Sequence, residues 1–226
     1  MKLGFDLGIM KKLTKRIGIF LFCLIFNSTA VWADITNSAH DFSSKAWSSG
    51  QICLPCHTPH NADQTVTKAP LWNHELSQAT YTLYDSPTMN ETTVQPLGIS
   101  KLCLSCHDGT LALDSFGNTS GSEYIAAGNA NIGTDLSNDH PISITWTHQT
   151  IAPFGFSSQC MYCHEHIHVQ EDPEKYPLPF YTYDNGNTYK VECSTCHDPH
   201  NNRAPDDHML RKTNLQSQLC LGCHNR

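Results

Sequence analysis

The stretch Cys193-Ser194-Thr195-Cys196-His197-Asp198-Pro199-His200-Asn201 sets two cysteines three positions apart and follows the second directly with a histidine. The same C-x-x-C-H arrangement occurs at Cys53-Leu54-Pro55-Cys56-His57, Cys103-Leu104-Ser105-Cys106-His107, Cys160-Met161-Tyr162-Cys163-His164 and Cys220-Leu221-Gly222-Cys223-His224. Ten of the 11 cysteines fall in these five pairs, and Cys23 is the remaining one. With 14 His in 226 residues, five such histidines would arise by chance roughly once in a million random placements.

C-x-x-C-H is the attachment pattern of a c-type haem. Two thiols at this spacing reach the two vinyl groups on one porphyrin edge, and the adjacent imidazole becomes the proximal iron ligand. Zinc knuckles and redox C-x-x-C pairs are the competing readings, but neither requires a histidine at that fixed position five times. The expected cofactors are five haem c groups. Their covalent ligands are Cys53, Cys56, Cys103, Cys106, Cys160, Cys163, Cys193, Cys196, Cys220 and Cys223, and their proximal histidines are His57, His107, His164, His197 and His224.

Composition agrees with an interior made largely of cofactor. The chain is 39% hydrophobic and 15% charged, with 13 Gly and 12 Pro, which argues against long helices and a large aliphatic core. Residues 1–33 read as a cleaved export signal: Lys11, Lys12, Lys15 and Arg16 precede the apolar run Ile17 to Phe26, and Val31-Trp32-Ala33 supplies the small residues of a cleavage site. An uncleaved anchor is the alternative, but the run is shorter than the roughly 20 residues that span a bilayer. Cleavage removes Lys2, Lys11, Lys12, Lys15, Arg16 and Asp6. That leaves 9 basic against 20 acidic residues and moves the formal charge from −7 to −11, a poor surface for nucleic acid. No later segment is apolar enough to span a membrane.

The expected fold is therefore a multihaem cytochrome c: residues 34–226 as a single pentahaem domain, mostly coil with short α and 3-10 helices, wrapped around a chain of five haems. A β-hairpin is expected over Tyr181 to Glu192, turning at Asp184-Asn185-Gly186; an aromatic-lined loop on a haem face is the alternative. The stretch Gly117 to His140 reads as a long surface connection. An internal repeat is visible. C-H-T-P-H-N at Cys56 to Asn61 matches C-H-D-P-H-N at Cys196 to Asn201, each followed downstream by L-C-L-S-C-H or L-C-L-G-C-H, with 50 and 27 residues between first cysteines. The Cys160 site lies between the two halves.

Each iron needs a second axial ligand, and nine histidines remain: His40, His60, His74, His140, His148, His166, His168, His200 and His208. His60 and His200 lie three residues past a proximal histidine with a proline between, so they point away from their own iron and toward a neighbouring haem. His148, in a Trp146-Thr147-His148 echo of Trp72-Asn73-His74, is the first substitute. His166, His168 and His208 read as surface imidazoles, with ligation as the alternative. Met89, Met161 and Met209 are the available sulfur ligands.

The sequence resembles the multihaem c-type cytochromes with doubled C-x-x-C-H motifs. The resemblance rests on Ser38-Ala39-His40-Asp41, C-H-T-P-H-N, Pro70-Leu71-Trp72-Asn73-His74, Leu102-Cys103-Leu104-Ser105-Cys106-His107-Asp108-Gly109-Thr110 and Asn138-Asp139-His140-Pro141, and spans nearly all of 34–226. It implies that His40, His74 and His140 join His60 and His200 as distal ligands. Related outer-surface cytochromes polymerise into extracellular filaments in which a histidine of one subunit ligates a haem of the next; the Cys160 site departs from the four-haem members.

Imidazole on both sides of every iron leaves no position for a substrate and, without methionine, favours low potentials. The expected role is electron transfer by a non-enzyme carrier, exported to the periplasm or cell surface. Its expected partners are redox proteins or extracellular electron acceptors, or further copies of itself in a filament. A soluble periplasmic pentahaem shuttle is the alternative. A haem reductase fits least, because such pentahaem enzymes have larger chains and one attachment motif with Lys in place of His.

Overall fold

The computed structural model describes residues 35–89, 91–146, 178–185, 187–200 and 208–223. Regular structure within them is sparse: helix α1 (Gly98–His107), strand β1 (Ile144–Trp146), strand β2 (Tyr189–Val191), the single-turn helix α2 (Cys193–Cys196), and 3-10 turns at Ala46–Ser48, Leu215–Ser217 and Cys220–Gly222. Everything else among these residues is turn and coil. The expected export signal, Cys160, Cys163, His164, His148, His166, His168 and His224 lie outside the described residues.

The motifs supply much of the helical structure. α1 carries Cys103 and Cys106, and α2 runs from one cysteine of its motif to the other. At Cys53 the motif makes one turn, in which the N–H groups of Cys56 and His57 both donate to Cys53 O at 3.2 and 2.8 Å. α2 starts with a reciprocal cap: Thr195 N–H donates to the Glu192 side chain, while Glu192 N–H donates to Thr195 Oγ1 at 2.9 Å. This satisfies two of the amides that a helix start leaves unpaired.

β2 pairs antiparallel with β1 in the register Ile144–Val191, Thr145–Lys190 and Trp146–Tyr189. The expected hairpin over Tyr181 to Glu192 is reduced to one pair, in which Tyr181 and Lys190 exchange hydrogen bonds of 3.0 and 2.7 Å. The reason is local. Asp184 accepts from Thr182 Oγ1, Thr188 Oγ1 and Thr188 N–H, which builds a wide Asx-braced loop where a two-residue turn would be needed to zip a ladder. The three-residue ladder forms instead with a segment 45 positions away.

Gly117 to His140 is also more than a surface connection. Leu113 N–H donates to Glu123 O at 2.7 Å, Ile132 N–H to His107 O at 2.8 Å and Leu136 N–H to Thr82 O at 2.8 Å. These bonds draw the chain back over α1, and Leu136 is buried with Tyr81 and Leu104. A second small cluster joins Trp72, Leu76 and Leu102, with Cys56, Val66 and Ala69 packed against it. The two clusters take Leu102 and Leu104 from α1, which makes this helix the strut of the described structure.

Glu192 is the polar counterpart of those clusters. It is 1% exposed, its Oε2 accepts from the hydroxyls of Ser100 and Ser143, and the Tyr183 hydroxyl lies beside it. One carboxylate thereby ties together α1, the entry to β1, the 181–185 loop and the start of α2. Tyr183 also accepts from Ile99 N–H at 3.0 Å, an approach open only because residue 98 is glycine. Its φ is +46°, and a Cβ there would sit 1.9 Å from the Tyr183 ring. Gly98→Ala should therefore cost about 2 kcal/mol or more of stability, read as a lower denaturation midpoint of the purified protein; an unchanged midpoint would show that the Tyr183 contact is dispensable.

Candidate functional site

The two C-H-x-P-H-N segments share a backbone construction that letter matching alone does not show. Around His57, Thr58 N–H donates to Leu71 O at 2.9 Å and Asn73 N–H to Cys56 O at 3.0 Å, and His57 pairs with Trp72. Around His197, Asp198 N–H donates to Met209 O at 2.7 Å and Arg211 N–H to Cys196 O at 2.8 Å, and His197 pairs with Leu210. Pro70-Leu71-Trp72-Asn73 and His208-Met209-Leu210-Arg211 are thus equivalent return strands. Leu71 and Met209 both have a φ of +54°, a conformation that costs a bulky residue about 1–2 kcal/mol.

The return strands act on the imidazoles. His57 Nδ1 bonds Pro70 O at 2.6 Å and His197 Nδ1 bonds His208 O at 2.9 Å. The second motif does the same with a longer return, His107 Nδ1 on Ala130 O at 2.7 Å. A neutral imidazole that donates from Nδ1 keeps its Nε2 lone pair for a metal, with the ring plane fixed. All three described proximal histidines are therefore presented as oriented Nε2 donors. His208, expected as a surface imidazole or a ligand, contributes its carbonyl.

Two of them face a second histidine. The His57 and His200 rings are 6.0 Å apart, centre to centre, with planes 32° apart; the His40 and His107 rings are also 6.0 Å apart, at 63°. Two imidazole–metal bonds of about 2 Å, with roughly 1 Å from each nitrogen to its ring centre, would set the centroids about 6 Å apart across one ion. His40 is held like a ligand, its Nδ1 on Pro199 O at 3.0 Å. Burial is the main influence on it and keeps its pKa below the ordinary histidine value, which favours the neutral form that a metal needs.

The other expected distal histidines are placed differently. His140 is exposed, with Nδ1 on Pro141 O at 3.0 Å. His60 is exposed at the end of the first motif's turn. His74 is buried, with Nδ1 on Glu75 O at 2.8 Å, Nε2 on Ala112 O at 3.0 Å, and Nε2 3.5 Å from Cys106 Sγ. Both its nitrogens are engaged, so it serves an iron only by giving up Ala112 O.

The surroundings of these pairs fit haem. Cys53, Cys56, Cys103, Cys106, Cys193, Cys196 and Cys220 are thiols outside any disulfide. Burial raises the Cys56 thiol to about 11 and the Cys106 thiol to about 12. Among the described residues no three His, Cys, Asp or Glu side chains converge as a metal cage; two opposed imidazoles are the protein's share when a macrocycle supplies the other four nitrogens. Among the described residues three buried polar side-chain atoms, Trp72 Nε1, Glu192 Oε1 and Ser194 Oγ, have no hydrogen-bond partner. Trp72 stands edge-on to His57 at 6.4 Å, so a donor is available to a group that brings its own carboxylates.

Residues 187–226 match a family model described as the doubled CXXCH motif. That span holds both the Cys193 and the Cys220 sites. No curated protein matches the chain. The family match supports c-type haem-attachment motifs at the Cys193 and Cys220 sites, and with them covalent haem and electron transfer.

Glu192 gives the site a pH signature. Burial, the largest influence on it, raises its pKa above the ordinary 4.5, against the lowering effect of the Ser100 and Ser143 hydroxyls. A carboxyl whose folded value is raised adds stability that is complete below its unfolded value and lost as pH rises through the folded one. Stability should therefore fall as pH rises from 4.5 through the Glu192 titration, and Glu192→Gln should remove that fall. Denaturation of both proteins over this range checks it; parallel curves would mean that Glu192 stays ionised.

Proposed function

We propose that this protein is an exported, non-enzymatic electron carrier holding five covalent haem c groups, with imidazole on both faces of each iron. The observation that carries the reading is two histidine couples with ring centres 6.0 Å apart, His57 with His200 and His40 with His107, in which His40, His57 and His107 are held through Nδ1. Bound haem supplies a one-electron Fe(III)/Fe(II) couple.

The chain's own residues supply the rest. The cysteine pairs fix each group to the backbone. His57, His107 and His197 take the proximal positions with their rings locked by Pro70, Ala130 and His208 carbonyls, and His164 and His224 take the same role at the remaining motifs. His200 reaches from the fourth motif to the iron of the first. By the same repeat, His60 is the counterpart ligand for the iron of His197, so the two C-H-x-P-H-N segments exchange ligands. His40 caps the iron of His107, and His74 and His140 are the remaining distal candidates. Filling both axial positions keeps water and substrates off the metal, which favours electron transfer over bond-making catalysis.

The basic and apolar N-terminal segment supports export, and the resemblance to filament-forming surface cytochromes supports a role in extracellular electron transfer, with copies of the chain joined by a histidine crossing between them. Electron microscopy of the secreted, haem-loaded protein should show filaments; uniformly small particles would favour the periplasmic shuttle. For the ligand assignment, His200→Ala and His40→Ala should each convert one low-spin ferric haem to a high-spin one in the electron paramagnetic resonance spectrum, with the low-spin state restored by added imidazole. Spectra that stay wholly low-spin in both variants would overturn the pairing.

A further inference from the structure

We propose that electrons pass between the two halves of the repeat through a direct contact of the Cys103/Cys106 and Cys193/Cys196 attachment sites, with no need for the Cys160 site that lies between them in sequence. The inference rests on the haem reading above and assigns a route within it.

Its basis is the packing of α1 against α2. Ser100 lies one helical turn before Cys103, on the same face of α1. Its Oγ accepts from Cys193 N–H at 3.0 Å, while its own proton goes to Glu192. This pins the first residue of α2 onto α1 beside Cys103, and the Cys103 and Cys193 thiols lie within hydrogen-bonding reach of each other. Both are the first cysteine of their motif. After attachment each sulfur belongs covalently to the edge of its haem, so the helix junction that sets Cys193 beside Cys103 brings two haem edges together.

α1 extends the route the other way. Leu102, next to Cys103, packs in the cluster that holds Cys56 of the first motif. α1 thus packs against both the first and the fourth attachment sites. His40 reinforces the arrangement, since its ring faces His107 of the second motif while its Nδ1 is held by Pro199 of the fourth. A transfer across the junction moves one electron: the iron of one site is oxidised, that of the other is reduced, and no bond forms or breaks.

The test removes the inserted site with Cys160→Ser and Cys163→Ser and follows the spread of electrons after rapid photoreduction of the secreted protein by an external donor. Equilibration among the remaining four haems should be as fast as in the unaltered protein. A new slow phase that divides the haems into two groups would overturn the junction. If the variant fails to mature, a cryo-electron microscopy map of the unaltered haem-loaded protein decides the matter. Cys103 and Cys193 sulfurs in van der Waals contact support the proposal. Haem at both motifs with the sulfurs separated by polypeptide overturns the junction alone, and a map without haem at those motifs overturns the underlying reading as well.

Discussion

A histidine can serve an iron only if one nitrogen is unprotonated and aimed, and in this protein that condition is met by backbone carbonyls. Nδ1 of His57, His107 and His197 each meets a carbonyl of a segment that returns 13, 23 or 11 residues later. Holding the Nδ1 proton there leaves Nε2 as the acceptor and stops the ring turning. The loops around each motif therefore have a defined task, and their shapes follow from it. Leu71 and Met209 adopt the same disfavoured backbone conformation because the carbonyls on either side must point at a neighbouring motif. Strain of this kind persists where the surroundings over-determine it.

The same constraint accounts for how little ordinary core the chain needs. Among the described residues two small clusters of buried apolar side chains share α1, Ala112, Leu178, Phe180, Val191 and Met209 are buried outside them, and a buried carboxylate joins four segments. Such a polar junction holds only while its hydrogen bonds are made, because an unpaired buried group costs about 1–3 kcal/mol. Glu192 Oε2 takes the Ser100 and Ser143 hydroxyls while its Oε1 is buried without a partner, and Ser100, Ser143 and Thr195 are themselves buried. With flat apolar groups attached at the cysteines, most of the interior would be cofactor, and the polypeptide's main role becomes placement.

The C-x-x-C-H motifs could be read from spacing alone, because the pattern compresses the attachment chemistry into five adjacent residues. The approach of His200 to His57 was partly readable: the proline between His197 and His200 turns the second imidazole away from its own motif, and its ring lies 6.0 Å from that of His57. The carbonyls were not readable, since any residue carries one; nothing about Ala130 or His208 as side chains marks them. The Tyr181 to Glu192 hairpin shows the opposite failure. The turn letters were present, but the Asp184 carboxylate collects three donors and opens the loop, and β2 finds its ladder in β1. The stretch Gly117 to His140 misleads because its polar composition hides two apolar residues, Ile132 and Leu136, at the points where it is tied back to α1 and to Thr82.

All of this depends on the cysteines carrying haem and on every motif being used. The most direct measurement is the intact mass of the secreted protein under denaturing conditions, together with its pyridine haemochrome spectrum. The account predicts one species with five covalently attached haems and no free thiol. A chain with unmodified cysteines, or one whose mass gain is lost on chelation, would contradict it.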